Sequence, residues 1–376
     1  LKPRQAFLVW AVLSKSTKQI SKPFDPSIVN EYIKLLKMKK LLSIICITVL
    51  FGSSNLASAE SGYKVVNQIH LEGDGGWDYL SVDEAASRLY VSHASMALVV
   101  DLKTGKQIGK IPDTNGIHGI AVAPGLNKGF TSNGRDNSVT VFDLKTLEII
   151  EKIPVSGKNP DAILFDPFSQ KVYTFNGGSS NASVIDLKLS KEIATIQLDG
   201  KPEFPQTDGK GIIYVNIEDK SEISVINANT YKVEKSWSIA PGEEPSGLSL
   251  DEETNRLFSV CGNKLMVVSD AVAGKVVTTL PIGGGCDGVA FDPATKRVFS
   301  SNGGDGTITV VQEENKDSFK VLETVTSQRG ARTITIDKTT HHLYLSTVEF
   351  GTPVEGSRRP PVKPGTFVVL EIAPVK

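Results

Sequence analysis

Six ionisable side chains and one serine occupy equivalent positions of a degenerate repeat: Asp78, His118, Asp161, Glu203, Ser246, Asp287 and Arg332. Each stands five residues before a recurring turn position. Aspartate holds that turn at Asp83, Asp166, Asp208, Asp251, Asp292 and Asp337, and Ala123 takes the place in the second copy. Carboxylates crowded in this way either bind a cation or raise one another's pKa. Arg332 belongs to the last copy. If the copies close into a ring it neighbours both Asp78 and Asp287, and that half is expected to neutralise itself as ion pairs. His118, Asp161 and Glu203 lie on consecutive copies without a cation among them, which makes them the leading candidates for chemistry. They read as ligands of a divalent cation, or as an acid–base set with His118 or Glu203 as base and Asp161 as ligand or orienter. The plain alternative is a solvated funnel with water and no chemistry.

Residues at the same end of the repeat extend this candidate site. His93, Asn133, Asn176, Asn216 and Asn302 fall on the loops that follow each second strand. His93 is expected to approach His118, and two histidines with carboxylates make a transition-metal site conceivable, although no short-spaced ligand motif supports one. Oxygen ligation of a hard ion fits at least as well. The asparagines suit the positive φ of tight loops. Trp77 either caps the core or offers a stacking surface to a ligand. The turn aspartates fall at the opposite end and read as acceptors of turn N–H groups, not as catalysts.

The elements that must position these groups are strands. From Trp77 onward one phrase of roughly 40–45 residues recurs seven times. Its second strand reads RLYVSH (Arg88–His93), KVYTFN (Lys171–Asn176) or RVFSSN (Arg297–Asn302), and its third reads SVTVFDL (Ser138–Leu144) or TITVVQ (Thr307–Gln312). Alternation, β-branched residues and Gly/Asn/Asp turns indicate antiparallel strands, and no segment holds a helical period. Four strands per repeat predict an all-β, seven-bladed β-propeller. The blades are expected near 77–116, 117–160, 161–203, 204–245, 246–286, 287–330 and 331–376. The last copy is one strand short, while KVVNQIHL (Lys64–Leu71) has no partners of its own. Pairing the two closes the ring and removes an exposed edge.

The phrases RLYVS…VVDLKTGKQIGKIP (Arg88–Pro112), GVAFDPATKRVFSSNGGDGTITVV (Gly288–Val311) and RPPVKPGTFVVLEI (Arg359–Ile372) resemble the YVTN-type (YncE-like) β-propeller repeat proteins. The resemblance covers the chain from the first blade to the last. It implies a seven-bladed ring, usually outside the cytoplasm, and implies little about chemistry because the repeated motif is structural.

Before the repeat the chain changes character. Met38-Lys39-Lys40, the apolar run Leu41–Phe51 and Ala57-Ser58-Ala59 have the form of a signal peptide over 38–59. The run is too short to span a bilayer. Residues 1–37 are expected to be an upstream extension outside the fold. The segment through Ala59 carries nine of the 41 basic residues and two of the 42 acidic ones, leaving 32 against 40 and a net charge of −8. Such a surface disfavours general adhesion to nucleic acid or anionic lipid. An exported, monomeric protein of the periplasm or the exterior follows.

In an oxidising compartment Cys261 and Cys286, on adjacent blades, are expected to form a disulfide; two free thiols or a redox pair are the alternatives. Glu349–Pro364 is a proline-rich loop with Arg358-Arg359, placed to act as a lid or partner-binding excursion. No G-x-S-x-G elbow, P-loop, dinucleotide fingerprint or H-E-x-x-H is present. The sequence therefore points to a non-catalytic binding propeller, with a small molecule or protein at the upper face. A metal-assisted hydrolase, lactonase or lyase using the funnel residues is the alternative, and a redox-associated role rests on superfold analogy alone.

Overall fold

Where the repeat alternates apolar and polar residues between Asp- and Gly-containing turns, the computed structural model has strands. It describes residues 62–353 and 360–375. The expected extension 1–37, the leader 38–59 and Arg358-Arg359 lie outside the described residues. Seven four-stranded antiparallel sheets follow one another, each built from consecutive strands except the last. Blade one runs Trp77–Asp83, Arg88–His93, Met96–Asp101 and Lys106–Ile111 from the channel outward. The first strands of successive blades stand side by side around the axis. No helix among the described residues is long and apolar enough to cross a membrane.

The seventh blade joins the two ends of the described chain. Tyr63–His70 pairs antiparallel with Val368–Pro374, from Tyr63↔Pro374 to His70↔Val368. Tyr63, Ile69 and Leu71 bury their side chains there, so the seventh blade is closed by both a hydrogen-bonded ladder and a hydrophobic seam between the N-terminal and C-terminal strands.

Burial follows the strand's place in the blade. Second strands are almost wholly buried, as in RLFSVC, Arg256–Cys261. Outer strands alternate, as in KQIGKI, Lys106–Ile111. Blades pack face to face through apolar side chains; Phe258 of blade five stacks on Phe291 of blade six at 5.6 Å. The turn aspartates close the first hairpin of their blades from within: Asp166 accepts from the Ser169 N–H at 2.8 Å, and Asp251, Asp292 and Asp337 accept from Thr254, Thr295 and Thr340 hydroxyls. These are Asx turns that set the hairpins.

One irregularity decides where the inner side chains point. In blades one to six the register of the first strand slips near its start, between Trp77/Leu80, Ile117/Ile120, Pro160/Ile163, Pro202/Pro205, Pro245/Leu248 and Cys286/Gly288. Asp78, His118, Asp161, Glu203, Ser246 and Asp287 all fall inside these bulges. A bulged residue leaves the ladder and is re-aimed. Gly119 shows how tightly neighbouring blades approach here: a Cβ at this position would lie 2.8 Å from Ile163 and 3.0 Å from the Asp161 carbonyl.

Candidate functional site

Hydrogen bonds to the main chain, within and between blades, pin the inner ring. Ser92 accepts the Asp78 N–H at 3.0 Å, and Thr333 donates to the Asp78 carbonyl at 2.7 Å. Ser132 and Ser301 donate to the Asp161 and Arg332 carbonyls. The bulged residues are therefore held at main-chain level before their side chains make any contact.

Their side chains form one alternating chain of charge. Asp161 lies 3.6 Å from His118 Nδ1, which is 2.7 Å from Asp78 Oδ2. Asp78 Oδ1 is 3.3 Å from Arg332, whose Nε is 2.7 Å from Asp287 Oδ2. The Ser246 hydroxyl donates to Asp287 Oδ1 at 2.5 Å. Six of the seven equivalent positions are thus linked across six blades. The expected pairing of Arg332 with Asp78 and Asp287 is present.

Glu203 does not join this chain. Lys201 Nζ lies 2.6 Å from it and also pairs with Glu218. The expected trio of His118, Asp161 and Glu203 without a cation is corrected: Lys201 supplies one, and Asp78 takes the third place beside the histidine. The signal for Lys201 was in the sequence, because residues i and i+2 of an extended segment face the same way.

Burial acts on Glu203, Asp161 and His118. Burial, then the charge of Asp161, pushes the Glu203 carboxyl up to about 8 against the pull of Lys201. Burial raises Asp161 to about 6, opposed chiefly by His118. Burial alone would lower His118. The hydrogen bond to Asp78 and the charges of Asp161 and Asp78 outweigh it and carry the imidazole to about 8. At neutral pH the ring is then an imidazolium held between two carboxyl groups, a hydrogen-bond donor and a poor base. One oxygen from each aspartate and an imidazole nitrogen lie within 4.8 Å of one another. A cation entering there would have to displace the Asp78–His118 and Asp78–Arg332 contacts.

Above this ring is a cavity of about 930 Å³. Its walls include Trp77, Ile117, Phe350, Pro360 and Val362, with Arg135 and Arg329 at the opening and Asp78, His118 and Arg332 at depth. Trp77 donates its indole N–H to the Gly330 carbonyl at 3.2 Å, packs against Phe350 and Phe367, and lines the cavity. The proline-rich loop contributes a wall. Phe350 bridges Val362, and Lys363 pairs with Glu349 at the base.

Below the charges Tyr79 of blade one meets Phe204 of blade four across the channel, with ring centroids 5.2 Å apart. Burial and then the charges of Asp161, Asp78, Glu203 and Asp287 hold the Tyr79 phenol neutral. This aromatic plug makes the space above it a funnel; a smaller cavity of about 390 Å³, which Phe204 also lines, opens at the other end. Nothing in the repeat marks the plug, because it joins residues 125 apart from opposite sides of the ring.

Three expectations are corrected. His93 does not approach His118: it is buried, stacks on Phe367 at 3.9 Å, and does not line the cavity. Burial lowers its pKa, which keeps it neutral. The asparagines are not positive-φ turn residues but buried pins at strand ends. Asn176 Nδ2 donates to Asn181 and Ser183 while its Oδ1 accepts from Thr174, and Asn133 and Asn302 repeat the pattern. Cys261 and Cys286 are free, buried thiols rather than a bridge. Cys286 Sγ is directed at the Cys261 carbonyl, 3.1 Å away, and burial pushes both thiols up to about 12.

No family model and no curated protein sequence matches the chain. Solved structures do resemble it. A chain titled Kuenenia stuttgartiensis Hydrazine Synthase has a TM-score of 0.62 at 19% identity, covering 73% of this chain and 94% of that one. A structure of U3-55K and the RRP9 WD40 repeats both have TM-scores of 0.70 at 10% identity, covering 84% of this chain and 100% and 99% of theirs. At such identities the likeness is one of fold: a seven-bladed propeller with WD40-like neighbours.

Proposed function

We propose that this protein is a binding propeller whose upper funnel takes a small organic molecule. The observation that carries the reading is the cavity of about 930 Å³, walled by apolar rings beside an ordered set of charges. A pocket of this size with apolar walls and a few convergent polar groups suits a ligand of ordinary metabolite dimensions better than a flat protein partner. The hydrolase, lactonase or lyase reading needs a base facing the cavity, whereas His118, raised to about 8, is protonated at neutral pH, and Glu203, paired with Lys201, does not line the cavity.

The reading includes export through the segment Met38–Ala59 and kinship with the YVTN-type propellers. Both rest on the sequence phrases alone. A fragment library screened by thermal shift against the wild type and Val362→Trp, which places a large ring in the cavity wall, tests the funnel. Ligands that stabilise the wild type should lose their effect in the variant. Hits that stabilise both proteins equally would move the site elsewhere.

A further inference from the structure

The charges that line the funnel are less evenly balanced than those of the whole chain. The sequence is nearly balanced, with 41 basic and 42 acidic residues, while the described residues lining the cavity include three arginines and a histidine against one carboxylate, Asp78. That carboxylate, together with Asp161 and Asp287 behind the wall, already balances His118 and Arg332, so the excess is carried by Arg135 and Arg329. Arg135 and Arg329 stand at the opening, exposed, and neither forms an ion pair with another described residue. They stand without such a partner at the mouth of a concave, partly apolar wall, where fields are focused.

Arg135 and His118 are neighbours in space. Gly134, next to Arg135, lies so close that a Cβ there would be 2.9 Å from His118 Nε2, and Gly116, two residues before His118, packs against the Arg135 side chain. With Nδ1 turned to Asp78 and Asp161, Nε2 is the nitrogen left without a side-chain partner among the described residues, on a ring that lines the cavity. A side chain at 134 would collide with that edge, so glycine there lets the loop of Arg135 pack against the imidazole. Trp77, Phe350 and Val362 complete the wall.

From this geometry we infer that the funnel's ligand is an organic anion, a carboxylate or phosphate monoester on an apolar body. Its charged group meets Arg135 and the Nε2–H of His118, and its body lies against Trp77 and Phe350. Arg329, across the opening, adds to the attraction. Charge-assisted hydrogen bonds of this kind are the stronger ones, and arginine presents a fork that suits both oxyanions. The inference rests on the binding reading above and narrows it to a chemical class.

The test uses four probes of one shape and different charge: phenylacetate, phenyl phosphate, phenylacetamide and phenethylamine, titrated calorimetrically into the wild type at low ionic strength. One or both anions should bind, the stronger naming the preferred oxyanion, while the amide and amine bind at least about tenfold more weakly. Arg135→Gln and Arg329→Gln sit at exposed positions. Arg135→Gln should cost about tenfold, the loss of one charge-assisted contact, and Arg329→Gln less, with added salt weakening the wild type toward both. Amide or amine binding as tight as the anions, and lost in Val362→Trp, would overturn the anion class while leaving the funnel as the site. Anion binding indifferent to Arg135→Gln and to Val362→Trp would place the anion elsewhere and overturn the inference. Failure of all four probes would remove both.

Discussion

The Asp78–His118–Asp161 arrangement makes stability depend on pH with a sign that follows from the geometry. Two carboxyl groups face one imidazole, at 2.7 and 3.6 Å, and Arg332 opposes them from blade seven. The imidazole rises from 6.5 to about 8. A histidine raised in the folded state contributes its full stabilisation below the unfolded pKa near 6.5 and loses it as pH climbs through the folded value. At 1.36 kcal/mol per unit the contribution is about 2 kcal/mol, which for a domain of this size is a fall of roughly 4 °C in Tm. The window is pH 6 to 9. Glu203, raised to about 8 by burial and Asp161, adds a slope of the same sign, because its ionised native form is the disfavoured one.

Removing His118 alone would let Asp161 rise and imitate the slope. The informative pair is therefore Asp161→Asn and Asp161→Asn/His118→Gln. The single variant keeps the hydrogen bond to Asp78, the largest upward influence on the ring, and should keep much of the pH-dependent fall; the double variant should lose that share. Proton NMR of the wild type should find the His118 ring titrating near 8, identified by its absence in the double variant. An imidazole titrating at or below 6.5, or two variants whose melting curves superimpose across pH 6–9, would refute the reasoning.

Removing the segment through Leu71 strips the partner of Val368–Pro374 and exposes its seam, so the truncated protein should melt lower or aggregate; an unchanged, monodisperse melt contradicts the closure. Asn176→Ala leaves Thr174, Asn181 and Ser183 short of a buried partner and should cost about 2–3 kcal/mol in urea denaturation, with a loss under 0.5 (roughly surface-like) counting against the pin. Cys261 and Cys286 in the reduced protein should resist alkylation until it unfolds, because burial holds both thiols up near 12; rapid labelling of the native form would show that they are accessible.

The repeat made the fold readable before any coordinates. Alternation, the turn aspartates and the orphan strand at the start of the repeat determine the number of blades and the closure, because each is a local or strictly periodic signal. Counting from the turns also located the inner ring and paired Arg332 with its neighbours. What the sequence did not disclose depends on direction rather than position. Bulges re-aim Asp78 toward His118, and no residue type announces a bulge except the occasional glycine, as at Gly119. Lys201 lay outside the counted position although its i, i+2 relation to Glu203 was visible. His93 shares its strand-end place with the asparagines, so only the packing of Phe367 shows that it is buried. The Tyr79–Phe204 plug joins opposite blades, which no periodic reading can connect.

Crystals of the wild type soaked with a mixed set of aromatic carboxylates and neutral aromatics test the central claim, that the upper funnel is the ligand site. Ordered density should lie between Trp77 and Phe350 above His118, with Arg135 turned toward it. Density confined to the opposite cavity, beside Asp251 and Lys338, or to the outer strands, with the funnel holding only solvent, would contradict the account.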